Sequence, residues 1–183
     1  MNNKNYTIAE LKKEFLKLKY DWFPFHIIGI RSKENKPNVF DDLIGVVIND
    51  SINWYSCTTN AGTYWLNHPM NVNGTAVLKC NQYIDSWALG LHQGKYKALR
   101  QIKEVEVWRD NDKDSLSEEQ GKIDSGLFGI NIHRANINGE SVLVDKWSAG
   151  CQVINNSSNF KDFISLCEKS KQNFFTYTLL SEF

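Results

Sequence analysis

What this 183-residue sequence lacks narrows its function before any motif is read. It has no net charge, 21 basic residues standing against 21 acidic ones. That argues against a protein held nonspecifically on nucleic acid, and it provides no basic tail for an anionic membrane. No apolar run approaches the roughly 20 residues that cross a bilayer as a helix, so stable membrane insertion is not expected. The cysteines are few and scattered. Cys57, Cys80, Cys151 and Cys167 make no CxxC pair and no zinc-ribbon or zinc-finger spacing, and neither a metal nor another cofactor is expected. The opening Met1-Asn2-Asn3-Lys4-Asn5-Tyr6 carries no apolar stretch behind its lysine, which predicts synthesis in the cytoplasm without a signal peptide and thiols kept reduced. Internal repeats, low-complexity stretches and interdomain linkers are absent too, so residues 1–183 are expected to form one domain.

What is present is apolar and aromatic, 42% and 13% of the chain with six Trp, enough for a packed core without staples. Thr7-Ile8-Ala9-Glu10 has capping-box spacing, and Ile8, Leu11, Phe15 and Leu18 recur at helical intervals through about Tyr20. This predicts an amphipathic helix docked on the core. Residues 25–30 and 43–48 read as strands around a polar loop over 31–38, and Asn49-Asp50 turns the second into a strand over 52–57. Residues 75–78, 87–91 and 105–108 are further candidate strands. Residues 109–124 are the most polar segment and read as a solvated loop, without the glycine and terminal glutamate of an EF-hand. Phe160, Phe163, Ile164 and Cys167 take helical positions, and 174–180 alternates like a closing strand. The expected class is α+β, mostly β, with a helix near each end.

Chemistry concentrates between residues 128 and 154. Gly129-Ile130-Asn131-Ile132-His133-Arg134 is followed by Lys146-Trp147-Ser148-Ala149-Gly150-Cys151-Gln152-Val153. Residues 128–132 alternate like a strand that delivers His133 to a sheet edge, and 142–144 read as a short return strand toward Ser148. A thiol is a weak nucleophile until a base takes its proton, and histidine does that near neutral pH. Gly150 leaves room for a carbonyl, and backbone N–H groups at such a turn can hold an oxyanion. The small and polar neighbours of Cys151 suit an accessible loop, whereas Cys167 lies on an apolar helical stripe and Cys57 and Cys80 sit at strand ends. Ser148 either orients the imidazole or closes a turn. His92, between glycines after a candidate strand, is a cleft or a surface-loop residue; His26 reads as a sheet residue. A zinc site would recruit His133, His92 and Cys151 with Asp85 or His68, at separations matching no recurrent ligand pattern. Tyr64, Trp65 and Trp147 suit either a substrate wall or the core.

These residues closely resemble the signature of the L,D-transpeptidase (YkuD-like) domain, in which a histidine ending one strand is followed, after a similar loop, by Ser/Thr-His-Gly-Cys. Ser148, Gly150 and Cys151 match, over a motif of about 25 residues. Ala149 stands where the family usually has its second His, and Gln152-Val153 replaces an apolar residue and an Arg. The resemblance implies an L,D-transpeptidase-like β-sandwich or barrel and a cysteine enzyme acting on peptidoglycan stem peptides. Cys151 is then the nucleophile, His133 the base, and Ser148 and Gly150 supporting residues. Arg134, beside the base, is the candidate replacement for the missing arginine, and His92 a candidate substrate contact. Without a signal peptide, a wall-directed enzyme points to a phage-type lysis protein, released through a membrane hole or carried on a virion, acting as a monomer by peptide cleavage. Cross-link formation, a noncatalytic wall-binding or virion structural module, and a metal-dependent amidase are the alternatives.

Overall fold

A computed structural model describes residues 5–34 and 36–183. The opening residues 1–4 and Asn35, within the expected 31–38 loop, lie outside the described part. Among the described residues, eleven strands and three helices run in the order α1 (Ile8–Leu18), β1 (Phe25–Arg31), β2 (Asp42–Ile48), β3 (Ser51–Thr58), α2 (Thr63–Asn67), β4 (Thr75–Leu78), β5 (Asn81–His92), β6 (Tyr96–Gln101), β7 (Val105–Asp110), β8 (Lys122–Gly126), β9 (Ile132–Arg134), β10 (Gln152–Ile154), α3 (Ser157–Lys169) and β11 (Phe175–Ser181). Eight strands close into a barrel in the order β1-β11-β5-β6-β9-β10-β3-β2, and β4-β7-β8 form a second, small sheet. The protein is therefore mostly β. No helix among the described residues is long and apolar enough to cross a membrane, which says nothing of β-barrel insertion.

The first helix begins where its sequence says it should. Thr7 Oγ1 accepts the Glu10 N–H at 3.3 Å while the Glu10 carboxylate accepts the Thr7 N–H at 2.8 Å, so two otherwise orphaned donors are satisfied. Lys19 then takes a left-handed φ of 61° and ends the helix. Leu11 and Phe15 dock with Ile28, Ile30, Val47 and Leu180 in one cluster on the barrel wall. A larger cluster joins barrel residues such as Trp87, Leu99 and Tyr177 to Ala76, Leu78, Val105 and Val107 of the small sheet and to Phe160 and Phe163 of α3. Barrel, small sheet and last helix thus share one apolar interior.

Several expectations are corrected. Residues 128–131 are not strand; β9 starts at Ile132. Gly129 turns there at φ 74°, and the Phe128 and Ile130 amides donate to the Gln101 side chain at 3.1 and 2.9 Å instead of to a neighbouring strand. Residues 142–144 make only an isolated bridge, Val39 to Leu143. The polar 109–124 segment is not all loop, since β7 runs to Asp110 and β8 begins at Lys122. The helix α2 and the strand β6 were not foreseen. β5 is longer than expected because Asp85, at φ 51°, makes a bulge that interrupts the two-residue alternation.

Candidate active site

β9 and β10 lie side by side and parallel, Ile132 beside Gln152 and His133 beside Val153. Strand alternation puts Ile132 and Gln152 on one face and His133 and Val153 on the other. The inner face is identified by Gln152. Its Oε1 accepts a hydrogen bond from the Tyr177 hydroxyl of β11 at 2.9 Å, across the barrel interior. Cys151, one residue before Gln152, therefore joins His133 on the outer face, and it packs there against the cluster of Phe40, Ala135, Val144 and Val153.

The turn that presents the thiol is tightly specified. Gly150 has φ 120°, and a Cβ on it would stand 2.4 Å from the Ala76 carbonyl oxygen, so only glycine fits. Ser148, fully buried, donates through Oγ to the Cys151 carbonyl at 2.8 Å and accepts the Gly150 N–H at 3.1 Å. Ser148 thus closes the turn; its bonds do not reach the imidazole. The Gly150 amide, an expected oxyanion donor, is committed to that bond. The Gln152 amide is committed to Asn131 O at 2.9 Å. The Cys151 amide remains, with no partner among the described residues. Behind the turn, α2 acts as a buttress: Gly62 N–H donates to Ser148 O at 2.9 Å and Trp65 Nε1 to Lys146 O at 3.2 Å. Tyr64 and Trp147 are exposed beside it, and Lys146 lies 4.1 Å over the Tyr64 ring.

His133 is buried, and His92, at the end of β5, is stacked on it with ring centroids 4.1 Å apart and planes at 21°. Fixed partners assign the two tautomers. His133 Nδ1 faces the Arg134 carbonyl at 2.8 Å, which only accepts, so Nδ1 carries the proton and Nε2 the lone pair. Asn131 Oδ1 accepts the Gln101 N–H, which fixes its amide orientation, and Asn131 Nδ2 donates to His92 Nδ1 at 3.3 Å. His92 therefore carries its proton on Nε2. One imidazole offers a base and its stacked neighbour a donor. Tyr96, from the start of β6, donates to the same Arg134 carbonyl at 3.3 Å, and the Arg134 guanidinium lies 4.1 Å over the Tyr96 ring.

Burial sets the charge state of the site. Desolvation, then the neighbouring His92, holds the His133 imidazole down at about 3. Desolvation likewise pushes the Cys151 thiol up to about 11, against a lowering contact from the Asn131 backbone. Its sulfur donates to the Gly129 carbonyl at 3.4 Å. At rest the Cys151 thiol and the His133 imidazole are therefore both neutral, and burial disfavours a preformed thiolate. The remaining thiols are less able to ionise still, with Cys80 held up at about 12 and Cys57 and Cys167 fully buried.

Sequence reasoning placed Cys151, His133, Ser148, Gly150, His92 and Arg134, and the structure gathers all six around β9 and β10. The zinc arrangement is not assembled: His68 stacks on Tyr64 of α2 and Asp85 sits in the β5 bulge. Among the described residues, no three His, Cys, Asp or Glu side chains are grouped to hold a metal. Three supporting residues were missed, namely Tyr96, Gln101 and Asn131. Asn131 lay inside the motif; Gln101 gave no signal, being one polar residue among several. No protein family, no curated protein and no solved structure matches this chain.

Proposed function

We propose that the chain is a cysteine acyl-transfer enzyme of L,D-transpeptidase-like chemistry acting on peptidoglycan stem peptides. The observation that carries this reading is that Cys151 directly precedes β10 while His133 lies in the parallel neighbour β9, opposite Val153, with the His133 Nε2 lone pair left as base. Because both groups rest neutral, the proton passes from Cys151 to His133 as sulfur attacks the peptide carbonyl, not before it. The thiol must first turn from the Gly129 carbonyl toward the imidazole. The developing oxyanion is met by the Cys151 amide and the His92 Nε2–H. Breaking the C–N bond returns the proton to the leaving amine and leaves a thioester on Cys151. Water then releases the acid, giving cleavage and a lysis role at the wall; an amine in its place forms a cross-link. Arg134 would hold a substrate carboxylate or carbonyl through its planar donors.

A noncatalytic wall-binding or virion module is the second reading, favoured by the thiol's contact with Gly129 O and its raised pKa. Incubating purified sacculi with the protein separates the two. The enzyme reading expects soluble fragments cut within the stem peptide, identified by mass, and none from Cys151→Ala or His133→Ala. Intact sacculi after treatment with the native protein, together with a Cys151 inert to iodoacetamide, would leave the binding module.

A further inference from the structure

A cavity of about 280 Å³ opens on the other side of Phe40, between residues 32–34, residues 36–43, the 140–142 loop and the end of β10. Its lining is one-sided in charge. Glu34, Asp41, Asp42, Glu140 and Glu182 face it, and Lys36, the one basic residue among the described lining, is paired with Glu34. Most of these carboxylates already have donors. Asp42 accepts from the Ser32 and Thr59 amides at 2.8 and 2.6 Å, Glu140 from Asn155 Nδ2 at 3.0 Å, and Glu182 from the Lys33 amide at 3.1 Å.

Among the described residues, two buried side-chain atoms of the lining have no hydrogen-bond partner, and both are acceptors. One is Asp41 Oδ2. The other is Oδ1 of Asn155, a residue only 6% exposed whose amide nitrogen is already committed to Glu140. Buried acceptors are almost always satisfied in folded proteins, so a pair of orphans in one acid-lined cavity points to a donor that arrives from outside. An ammonium has three donors and no acceptor. The apolar walls, Val39, Phe40, Leu43 and Val142 among them, suit the methylene stem that carries it. A metal ion fits less well, because both oxygens of Asp42 and of Glu140 already accept hydrogen bonds, and among the described residues no three His, Cys, Asp or Glu side chains are grouped to hold one.

We propose that this cavity is a binding site for a primary alkylammonium group, such as the end of a lysine-like side chain, held by Asp41 and Asn155. The assignment does not depend on the acyl-transfer reading. Burial and the charge of Asp42 raise the Asp41 carboxyl to about 6, against lowering contacts from its own backbone N–H and from Lys36, so above that pH it meets the ligand as an anion through its free Oδ2.

The test is titration of the full chain with Nα-acetyl-lysine methylamide at pH 7.5, followed by amide chemical shifts of residues 41, 141, 155 and 156. The norleucine analogue, with the same stem and no ammonium, is the control. Saturable shifts with the lysine probe alone are expected. Asp41→Asn should weaken binding about tenfold or more, the range for losing one hydrogen bond to a charged group. Val142→Lys, at an exposed rim position, places an internal ammonium at the mouth and should abolish binding without disturbing the core, which keeps the test decisive if Asp41→Asn folds poorly. No shifts at these amides, equal binding of the norleucine analogue, or undiminished binding by either variant would overturn the proposal; the first of these leaves a water-filled cavity.

Discussion

The thiol turn and the acidic cavity share Phe40 as a wall, yet they treat their polar atoms in opposite ways. Around Cys151 nearly every donor and acceptor is used internally. Ser148 works twice, Asn131 holds both Gln101 and His92, His133 Nδ1 has its carbonyl, and the thiol itself donates to Gly129. In the cavity, Asp41 Oδ2 and Asn155 Oδ1 are buried with nothing to accept. An unsatisfied buried acceptor costs on the order of 1–3 kcal/mol. The comparison teaches that a site can wait in two ways. The thiol turn rests closed and neutral, so acyl transfer there would have to move a proton; the cavity rests with two orphan acceptors that a donor would satisfy.

The sharpest break of that comparison is substitution at its two centres. Cys151→Ala should abolish turnover on sacculi while thermal unfolding stays close to that of the native chain. Gly150→Ala should do both kinds of harm. A side chain at φ 120° is strained and its Cβ meets the Ala76 carbonyl at 2.4 Å, for a stability loss of roughly 2–5 kcal/mol. Urea unfolding measures it. Asp41→Asn should show the reverse sign at pH 7, with stability unchanged or raised, because it removes a charge that burial disfavours. A Gly150→Ala protein as stable as the parent would mean that the turn is not rigid.

Acid pulls the two regions apart. His133 and His26 sit at about 3 and 4, both held below the ordinary value of about 6.5 mainly by burial. Their folded forms refuse protons that the unfolded chain accepts, so this stability is present above about pH 6.5 and is lost as pH falls toward 4, by a total on the order of a few kcal/mol. Asp41 has the opposite sign. Its folded value of about 6 lies above the unfolded value, so its contribution is present at low pH and is lost as pH rises through about 6. Urea midpoints measured from pH 4 to 7.5 should therefore fall on the acid side, and fall more steeply in Asp41→Asn, which lacks the compensating group. Parallel profiles for the two proteins would place Asp41 in water.

The sequence reading found the mostly β class, both terminal helices and the six residues now seen around β9 and β10, because those features are local. A capping box, a two-residue alternation and a Gly-Cys turn are written in consecutive residues. What it missed is held together by distant side chains. Residues 128–130 alternate like a strand, but their amides go to Gln101, 27 and 29 positions away. β6 buries Ala98, Leu99 and Gln101 among charged neighbours and has no clear alternation; the Gln93-Gly94 turn, with φ of 51° and 71°, was its one local sign. The stacking of His92 on His133 follows from strand order in a closed barrel, which no spacing in the chain encodes. The cavity was invisible for the same reason, since Asp41, Glu140 and Asn155 come from three separate segments.

Inside the barrel, Tyr177→Phe should give an intermediate effect. Both Tyr177 and Gln152 are fully buried, so losing the hydroxyl leaves the Gln152 oxygen unsatisfied, at about 1–3 kcal/mol. Since Gln152 adjoins Cys151, thiol labelling rates should change with it; an unaltered rate would uncouple the interior from the turn.

The smallest effect is expected at Arg134, where it separates substrate capture from thiol chemistry. Its guanidinium lies 4.1 Å over Tyr96 and donates to the Ala135 carbonyl at 3.2 Å. Lysine keeps the charge and loses the planar fork, so Arg134→Lys should cost about 0.5–1 kcal/mol in stability through the weakened ring contact. Labelling of Cys151 by a small uncharged reagent should not change, because the His133 tautomer is set by the backbone carbonyl of residue 134, which the substitution leaves in place. Turnover on sacculi should fall several-fold through KM if the fork holds a substrate carboxylate or carbonyl. Unchanged KM with the same small stability loss would make Arg134 a support for Tyr96 alone. On the acyl-transfer reading, the arginine that the L,D-transpeptidase-like motif would place at Gln152-Val153 would then have no replacement beside His133, and oxyanion stabilisation would rest on the Cys151 amide and His92.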